Sequence, residues 1–372
     1  PTPTGLTAGA LSESAVLLTW TAGPGAGQIV YLLERRSGTN EVFEEIAQVA
    51  SGTNYLDASL AADTVHTYRI RARSLGLESS RSDEVATRTL AASPTLTMTG
   101  LRLWLRAEAG LSSTPISLWR DQSGLQNDAT QVDAARRPQL IFNALNGRPV
   151  VRFNGSSDQL KLGWSPATNT FTVVALARPV AAHEIDSENN TEHSGGGYSG
   201  QRYLLGGTGD PVGRGEVGLS VGTNGVSDYE FGRNEIGSDH FAPLAVYAGP
   251  LEPGFQILSL VYRAQTPELW VNGARVRTGL PSTRPSSVLS RMVGSGESGY
   301  GLSPFAGDVA EILVFDRALS RAELDTVGNF LTAKYNALTP FDGPIQLTAD
   351  ALSGSPAMLT WKKAGNPDRR TV

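Results

Sequence analysis

The chain contains no cysteine. That excludes disulfides, thiolate metal sites and cysteine nucleophiles in one step. Such an absence is common among exported bacterial proteins. Lysine is nearly as scarce: Lys161, Lys334, Lys362 and Lys363 stand against 27 arginines, which reads as coding bias and carries no mechanism. No run of like charges occurs, and the net charge of −5 removes the electrostatic footprint of a nucleic-acid binder. Acidic membranes are equally poor partners. No stretch of about 18 apolar residues is present, so nothing in the sequence reads as a bilayer span. Pro1 opens no charged-then-apolar leader either, so an export signal is expected to lie upstream or to have been removed.

What is present points to strands. With 372 residues the chain is long enough for two or three domains. Its 40 % hydrophobic and 18 % charged residues indicate a globular chain, and 41 Gly with 21 Pro suit many short strands joined by turns. The expected class is all-β, sandwich or barrel.

One phrase occurs twice, as LTAGALSESAVLLTW from Leu6 to Trp20 and as LTADALSGSPAMLTW from Leu347 to Trp361. The first copy opens a complete small β-domain over residues 1–93. The second begins a truncated repeat of it over 339–372. The chain is therefore expected to be a window on a modular protein, with neighbouring repeats as partners and the specific function in residues 95–338. In the first module Ala15–Trp20, Ile29–Glu34 and Thr67–Ala72 alternate as strands do. Trp20, and Tyr68 preceded by Leu60, resemble the core tryptophan and tyrosine corner of a fibronectin type III domain. The resemblance implies a seven-strand sandwich with Trp20, Tyr31 and Tyr68 in its core, acting as a spacer.

In the middle region Asn272-Gly273 separates two alternating runs in LWVNGARV, which best suits a type I′ hairpin turn. Asn146-Gly147 and Asn154-Gly155 mark similar reversals. Further strands are expected at 149–153, 171–177, 256–262 and 309–315. A single helix follows: Ser320 and Glu323 form a capping box, and Leu324, Val327, Leu331, Tyr335 and Leu338 fall on one face. Gly328 inside it costs about 1 kcal/mol relative to Ala, so docking must hold the helix in place.

The phrases LRLWLRAEAGL, SLWRDQSGLQNDATQ, RPVVRFNGSSDQLKL, FTVVALARP, LWVNGARV and FAGDVAEILVFDRALSRAELDTVGNFLTAKY resemble, in order, a concanavalin A-like, laminin-G-type jelly roll of bacterial surface proteins. The resemblance spans nearly all of 98–338. It implies two stacked antiparallel sheets, a fold shared by lectins, glycan-binding modules and glycan-cleaving enzymes, so it cannot by itself choose among them. It also implies a calcium ion at the rim, matching Asp158 and, less closely, Asp308; such an ion needs six to eight oxygens.

The most distinctive segment is Ala182–His193, acidic and inserted between two expected strands. Its Glu184-Ile-Asp186-Ser-Glu188 matches the Glu-x-Asp-x-Glu pattern of laminarinase-type retaining glycosidases. That resemblance implies Glu184 as nucleophile, Asp186 as helper and Glu188 as acid/base, on one strand face with the outer pair about 5–5.5 Å apart. Ser187 and the following Asn-Asn-Thr read instead as a solvated loop. A third reading has His183, Glu184, Asp186, Glu188 and His193 binding a transition metal. GLSVG at Gly218–Gly222 matches a nucleophile elbow, but strand residues continue on both sides, which rejects it. For sugar stacking the loop aromatics Tyr198, Tyr203, Tyr229, Phe231 and Tyr300 are candidates, with Asn224, Asp228 and Asn234 close in sequence. Trp104, Trp119 and Trp270 read as core.

These features favour a secreted or cell-surface recognition module that binds a polysaccharide or cell-surface glycan, rather than an enzyme. The alternative is a retaining glycoside hydrolase acting on β-glucan-type polysaccharide through Glu184, Asp186 and Glu188.

Overall fold

The computed structural model describes residues 2–23, 29–92, 94, 96–111, 114–166, 168–191, 200–207, 215–233, 239–296 and 303–335, and the strands at 346–350, 358–362 and 370–371. Among the described residues the protein is all-β apart from one C-terminal helix and a single 3-10 turn. Among the described residues no helix is long and apolar enough to cross a membrane.

The first sandwich contains β1 (Thr4–Ala10), β2 (Ala15–Thr21), β3 (Val30–Ser37), β4 (Glu44–Val49), β5 (Asn54–Ala58), β6 (Val65–Ser74), β7 (Leu77–Glu78) and β8 (Val85–Arg88). A sheet ordered β1-β2-β5 faces one ordered β4-β3-β6-β7, with β8 also on β6. Period-two alternation sends Val16, Leu18 and Trp20 inward against Tyr31, Leu33, Tyr68 and Ile70. Trp20 meets Tyr31 edge-on at 5.3 Å, and the Tyr68 hydroxyl donates to Asp57 at 2.8 Å, so the three aromatics are core as expected. Leu17 points the opposite way and is also buried, because with Leu11 it joins the core of the larger sandwich. At the same contact Gly9 lies under Phe142; any Cβ at position 9 would fall inside that ring.

The larger sandwich contains β9 (Leu101–Arg106), β10 (Leu118–Trp119), β11 (Ala129–Thr130), β12 (Gln139–Leu145), β13 (Arg148–Asn154), β14 (Leu160–Leu162), β15 (Phe171–Pro179), β16 (Tyr203–Gly206), β17 (Gly215–Gly222) and β18 (Gly225–Arg233). It continues with β19 (Asp239–Ala248), β20 (Gln256–Arg263), β21 (Thr266–Val271), β22 (Ala274–Thr278), β23 (Ser287–Val288), β24 (Met292–Val293) and β25 (Ala306–Phe315). A nine-stranded sheet runs β10-β11-β14-β24-β16-β17-β18-β19, with β23 on β17. An eight-stranded sheet runs β12-β13-β25-β15-β20-β21-β22, with β9 on β25. Asn146-Gly147 and Asn272-Gly273 take the positive φ angles their hairpins need, at 46° and 84° and at 46° and 74°.

β15 is buried on both faces. Val173, Ala175 and Ala177 fill the core between the sheets, while Val174 and Leu176 face outward to the helix α1 (Arg321–Tyr335). Helix α1 begins with the expected capping box: the Ser320 amide donates to Glu323 at 2.8 Å. Its Leu324, Val327, Phe330, Leu331 and Tyr335 cover the outer face of the eight-stranded sheet; Leu338 lies outside the described residues.

In the C-terminal segment β26 (Gln346–Asp350), β27 (Met358–Lys362) and β28 (Arg370–Thr371) form a three-stranded sheet. Thr348 pairs with Thr360 and Ala349 with Leu359, the same register in which Thr7 pairs with Thr19 and Ala8 with Leu18. The repeated phrase thus folds twice into the same hairpin.

Candidate functional site

The acidic insertion is a strap across the outer face of the nine-stranded sheet. Residues 182–191 form no strand. Its polar groups bond the strands and turns beneath it. His183 and Asn224 exchange two hydrogen bonds, through the His183 amide at 3.0 Å and carbonyl at 2.9 Å. Asp186 accepts from the Tyr229 hydroxyl at 2.6 Å and from Gln201 Nε2 at 3.2 Å. Glu188 accepts from the Val246 amide at 2.8 Å on the edge strand β19, and from Arg277 Nε at 2.6 Å on β22. The Asn189 amide donates to the Pro243 carbonyl at 2.9 Å. The strap therefore closes the seam between the edge strands of the two sheets, where open backbone groups would otherwise recruit another chain.

This geometry departs from the glycosidase pattern. Period-two alternation exists only on a strand, and here Glu184 is exposed while Asp186 and Glu188 turn to separate anchors. The carboxyl groups do not form a row in a cleft. The metal reading finds no support in the described residues either: they hold no group of three His, Asp or Glu side chains arranged to bind an ion, and His193 lies outside them.

Ser220 of the GLSVG phrase continues β17 as a strand residue, as expected. Its hydroxyl donates to Gln201 Oε1 at 2.8 Å and accepts from the Arg202 amide at 2.9 Å. His183 Nδ1 lies 2.9 Å from the same hydroxyl, which fits an Nδ1–H donor rather than a base. Burial lowers the His183 pKa, opposed by Gln201 and Asp186, so the ring is neutral. The trio is a buried polar pin.

The expected calcium ligands are engaged elsewhere. Asp308 is fully buried between Arg152, at 2.7 Å and 3.1 Å, and Arg178. Two guanidiniums outweigh its single charge and would repel a cation. Asp158 accepts from the Asn154 amide at 2.9 Å, while its own amide and those of Ser156 and Ser157 bond Asn154 Oδ1. Burial raises the Asp158 pKa, against the lowering effect of that amide. Asp158 closes the turn that follows β13, and no cluster of carboxylates forms around it among the described residues.

The described candidate aromatics are buried as well. Tyr203, Tyr229 and Phe231 are at most 4 % exposed and form a cluster of their own on the outer sheet face. The Tyr203 ring sits 5.1 Å from Phe231 and 6.0 Å from Tyr229, edge-on to both. Gly218 leaves room for Phe231, whose ring a Cβ at 218 would enter. These rings pack, and are not an open platform; Tyr198 and Tyr300 lie outside the described residues.

The other half of the same sheet face carries no strap among the described residues. In register, Thr130 of β11, Lys161 of β14 and Met292 of β24 form a row across three strands. On one side of Lys161 is a hollow of about 480 Å³ lined by Thr130, Gly163, Ser165 and Arg291. On the other is one of about 340 Å³ lined by Gln131, Asp133, Arg136 and Gln159. A third, of about 390 Å³, is lined by Trp164, Leu125, Asn127 and Pro166. No sequence motif marks this groove, because its residues come from β11, β14, β24 and the turns beside them. One signal was available: Gly163-Trp-Ser-Pro166 puts a tryptophan in a turn, where it cannot be wholly core.

No protein-family model matches the chain, and no curated protein does. Among solved structures, a fibronectin type III-like protein from Clostridium thermocellum is 32 % identical, covers 26 % of this chain and 97 % of its own, and has a TM-score of 0.21. Domains A168–A170 of titin are 28 % identical over 24 % of this chain, with a TM-score of 0.22; the match spans 32 % of that structure. The binding domain of Paraclostridial Mosquitocidal Protein 1 is 10 % identical over 73 % of this chain and 72 % of its own, with a TM-score of 0.39. By its own sheet order and its Trp20, Tyr31 and Tyr68 core, the first sandwich is fibronectin type III-like.

Proposed function

We propose that the protein is an extracellular recognition module in which the larger sandwich, read as a concanavalin A-like, laminin-G-type jelly roll, binds carbohydrate. The fibronectin type III-like sandwich carries it alongside neighbouring repeats. One observation supports this most: the half of the nine-stranded face without the strap bears a hollow of about 480 Å³ lined by hydroxyl, ammonium and guanidinium groups. That size and polarity suit a few sugar rings. The hydrolase alternative loses its footing because Glu188 is tied to Arg277 and the Val246 amide. Nor does the reading require calcium, since Asp308 is paired with two arginines.

A glycan array with the purified chain tests the reading. Binding to a saccharide that is lost in Arg291→Ala with unchanged thermal unfolding is the expected result. Silence across the array would leave a structural stalk. Release of reducing ends from β-1,3/1,4-glucans, abolished by Glu188→Gln, would overturn the reading in favour of the enzyme.

A further inference from the structure

Gly9 lies inside β1, opposite Leu17 of β2, on the sheet face turned away from the first core. Its φ is not positive, so the backbone there has no need of glycine, and a glycine inside a strand weakens it. What needs glycine is the neighbour. The Phe142 ring of β12, the edge strand of the eight-stranded sheet, fills the space that a Cβ would take. Around this contact Leu17 and Leu11 are buried in the core of the larger sandwich, and Ala15 packs against the same core. Farther along the same face Thr7 is exposed and shares a hydrogen bond with Thr19 at 2.7 Å.

The repeated phrase supplies a comparison within the chain. β26 and β27 pair in the register of β1 and β2, so Gly9 opposite Leu17 corresponds to Asp350 opposite Met358. From Leu6 to Trp20 the first copy differs from the second at five positions: 9, 13, 15, 16 and 17. Three of them, Gly9, Ala15 and Leu17, are turned to the larger sandwich, and their counterparts are Asp350, Pro356 and Met358. The first copy's own core residues Leu6, Ala8, Leu18 and Trp20 recur unchanged as Leu347, Ala349, Leu359 and Trp361, and only Val16 gives way, to Ala357. What folds the hairpin is kept, and what docks it is changed. An aspartate at the Gly9 register would drive a carboxylate into the Phe142 ring beside Leu11 and Leu17, where burial of a charge is costly.

We infer that the face formed by Gly9, Ala15 and Leu17 is a docking surface made for the Phe142 edge of the larger sandwich, and that Phe142 admits the first copy of the repeat and turns the second away. Two near-identical hairpins tethered to one acceptor would otherwise compete for it, because tethering gives each a high effective concentration. A residue with no side chain, set against a ring, decides which of them docks. The chain leaves the first sandwich beside this face, where the Leu90 amide donates to the Ser12 carbonyl at 3.1 Å. The two copies therefore do different work: the first is seated on the larger sandwich, and the second takes no part in that contact.

The test uses the full chain in four forms: unchanged, Gly9→Asp, Phe142→Ala, and both changes together. Thermolysin cleavage within residues 91–97 reads undocking, and small-angle X-ray scattering reads the spread of the two sandwiches. Gly9→Asp should raise cleavage about tenfold, because cleavage tracks the population of the open joint, and should lengthen the molecule. With Phe142→Ala in place the same change should alter cleavage by less than about twofold, since the half-buried ring is gone and water reaches position 9. Thr7→Asp, on the same strand face, should change neither readout. The β26–β27 hairpin pairs with aspartate at this register, so the hairpin itself tolerates it. No rise in cleavage with Gly9→Asp overturns the inference. So does an equal rise when Phe142→Ala is present, which would make Gly9 a residue of hairpin folding, and so does an equal rise with Thr7→Asp, which would make any carboxylate on β1 sufficient.

Discussion

The two outer faces of the larger sandwich are covered by different means. On the eight-stranded face, helix α1 buries Leu324, Val327, Phe330 and Leu331 against Val174, Leu176 and Leu313. Beneath it Lys334, with no exposed side-chain surface, pairs with Glu311 and, at 2.6 Å, with Glu108. Arg148 binds Glu108 and donates to the Lys334 carbonyl at 2.9 Å, while Tyr335 and Trp104 donate to Glu311 at 2.9 Å and 2.7 Å. On the nine-stranded face the cover, over residues 182–191, is a strap held by hydrogen bonds and by the Glu188–Arg277 ion pair. Apolar burial with a satisfied ionic network makes a permanent layer. Exchangeable polar contacts, each worth about 1 kcal/mol net, make a cover that can leave part of a sheet open.

The contrast predicts a hierarchy. Lys334→Met removes the buried cation shared by Glu108 and Glu311, leaves Glu311 on the neutral donors Tyr335 and Trp104, and should cost about 3–5 kcal/mol in urea unfolding. Gly218→Ala pushes a methyl into the Phe231 ring on the other face and should cost about 1–3 kcal/mol. Glu188→Ala leaves the Val246 amide and Arg277 without their acceptor, for about 1–2 kcal/mol, and should promote self-association through β19, seen by light scattering. If Glu188→Ala proved as costly as Lys334→Met, the two covers would not differ in kind.

The smallest effect sharpens the contrast by pH. Burial raises the Glu108 pKa, but Lys334, Arg106 and Arg148 outweigh it and hold the carboxyl at about 2. Its folded pKa lies below its unfolded one, so its stabilisation is present above about pH 4.5 and is lost as pH falls toward 2. His183 is also depressed, from 6.5, so its contribution is present above pH 6.5 and declines below it as the unfolded ring takes up a proton. The strap should therefore loosen in mild acid while α1 stays docked. Hydrogen exchange at the Asn189 and Val246 amides should rise between pH 7 and pH 5, and His183→Gln should flatten that rise.

The sequence carried the fold wherever one residue type has one geometric use. Asn146-Gly147 and Asn272-Gly273 announced their hairpins through positive φ, Ser320 and Glu323 announced the helix start, and Trp20 and Tyr68 announced the first core. Leu17 announced nothing. A second apolar face on β2 is visible in the run Val16-Leu-Leu18, but which surface covers it depends on Phe142 arriving from the far side of the fold. The candidate site was hidden for the same reason. Glu184, Asp186 and Glu188 share a spacing that means a cleft only on a strand, and local composition does not reveal that Arg277, Val246 and Tyr229 bind two of them. Thr130, Lys161 and Arg291 became neighbours through strand order alone.

The Gly9 and Phe142 contact has a mechanical consequence. A chain joined only through residues 91–97 would let the two sandwiches swivel, and a load on the groove would first straighten that joint. With Phe142 seated over Gly9 and Leu17 held in the neighbouring core, the joint is braced by packing, and a larger residue at position 9 would be a wedge that pries the contact apart.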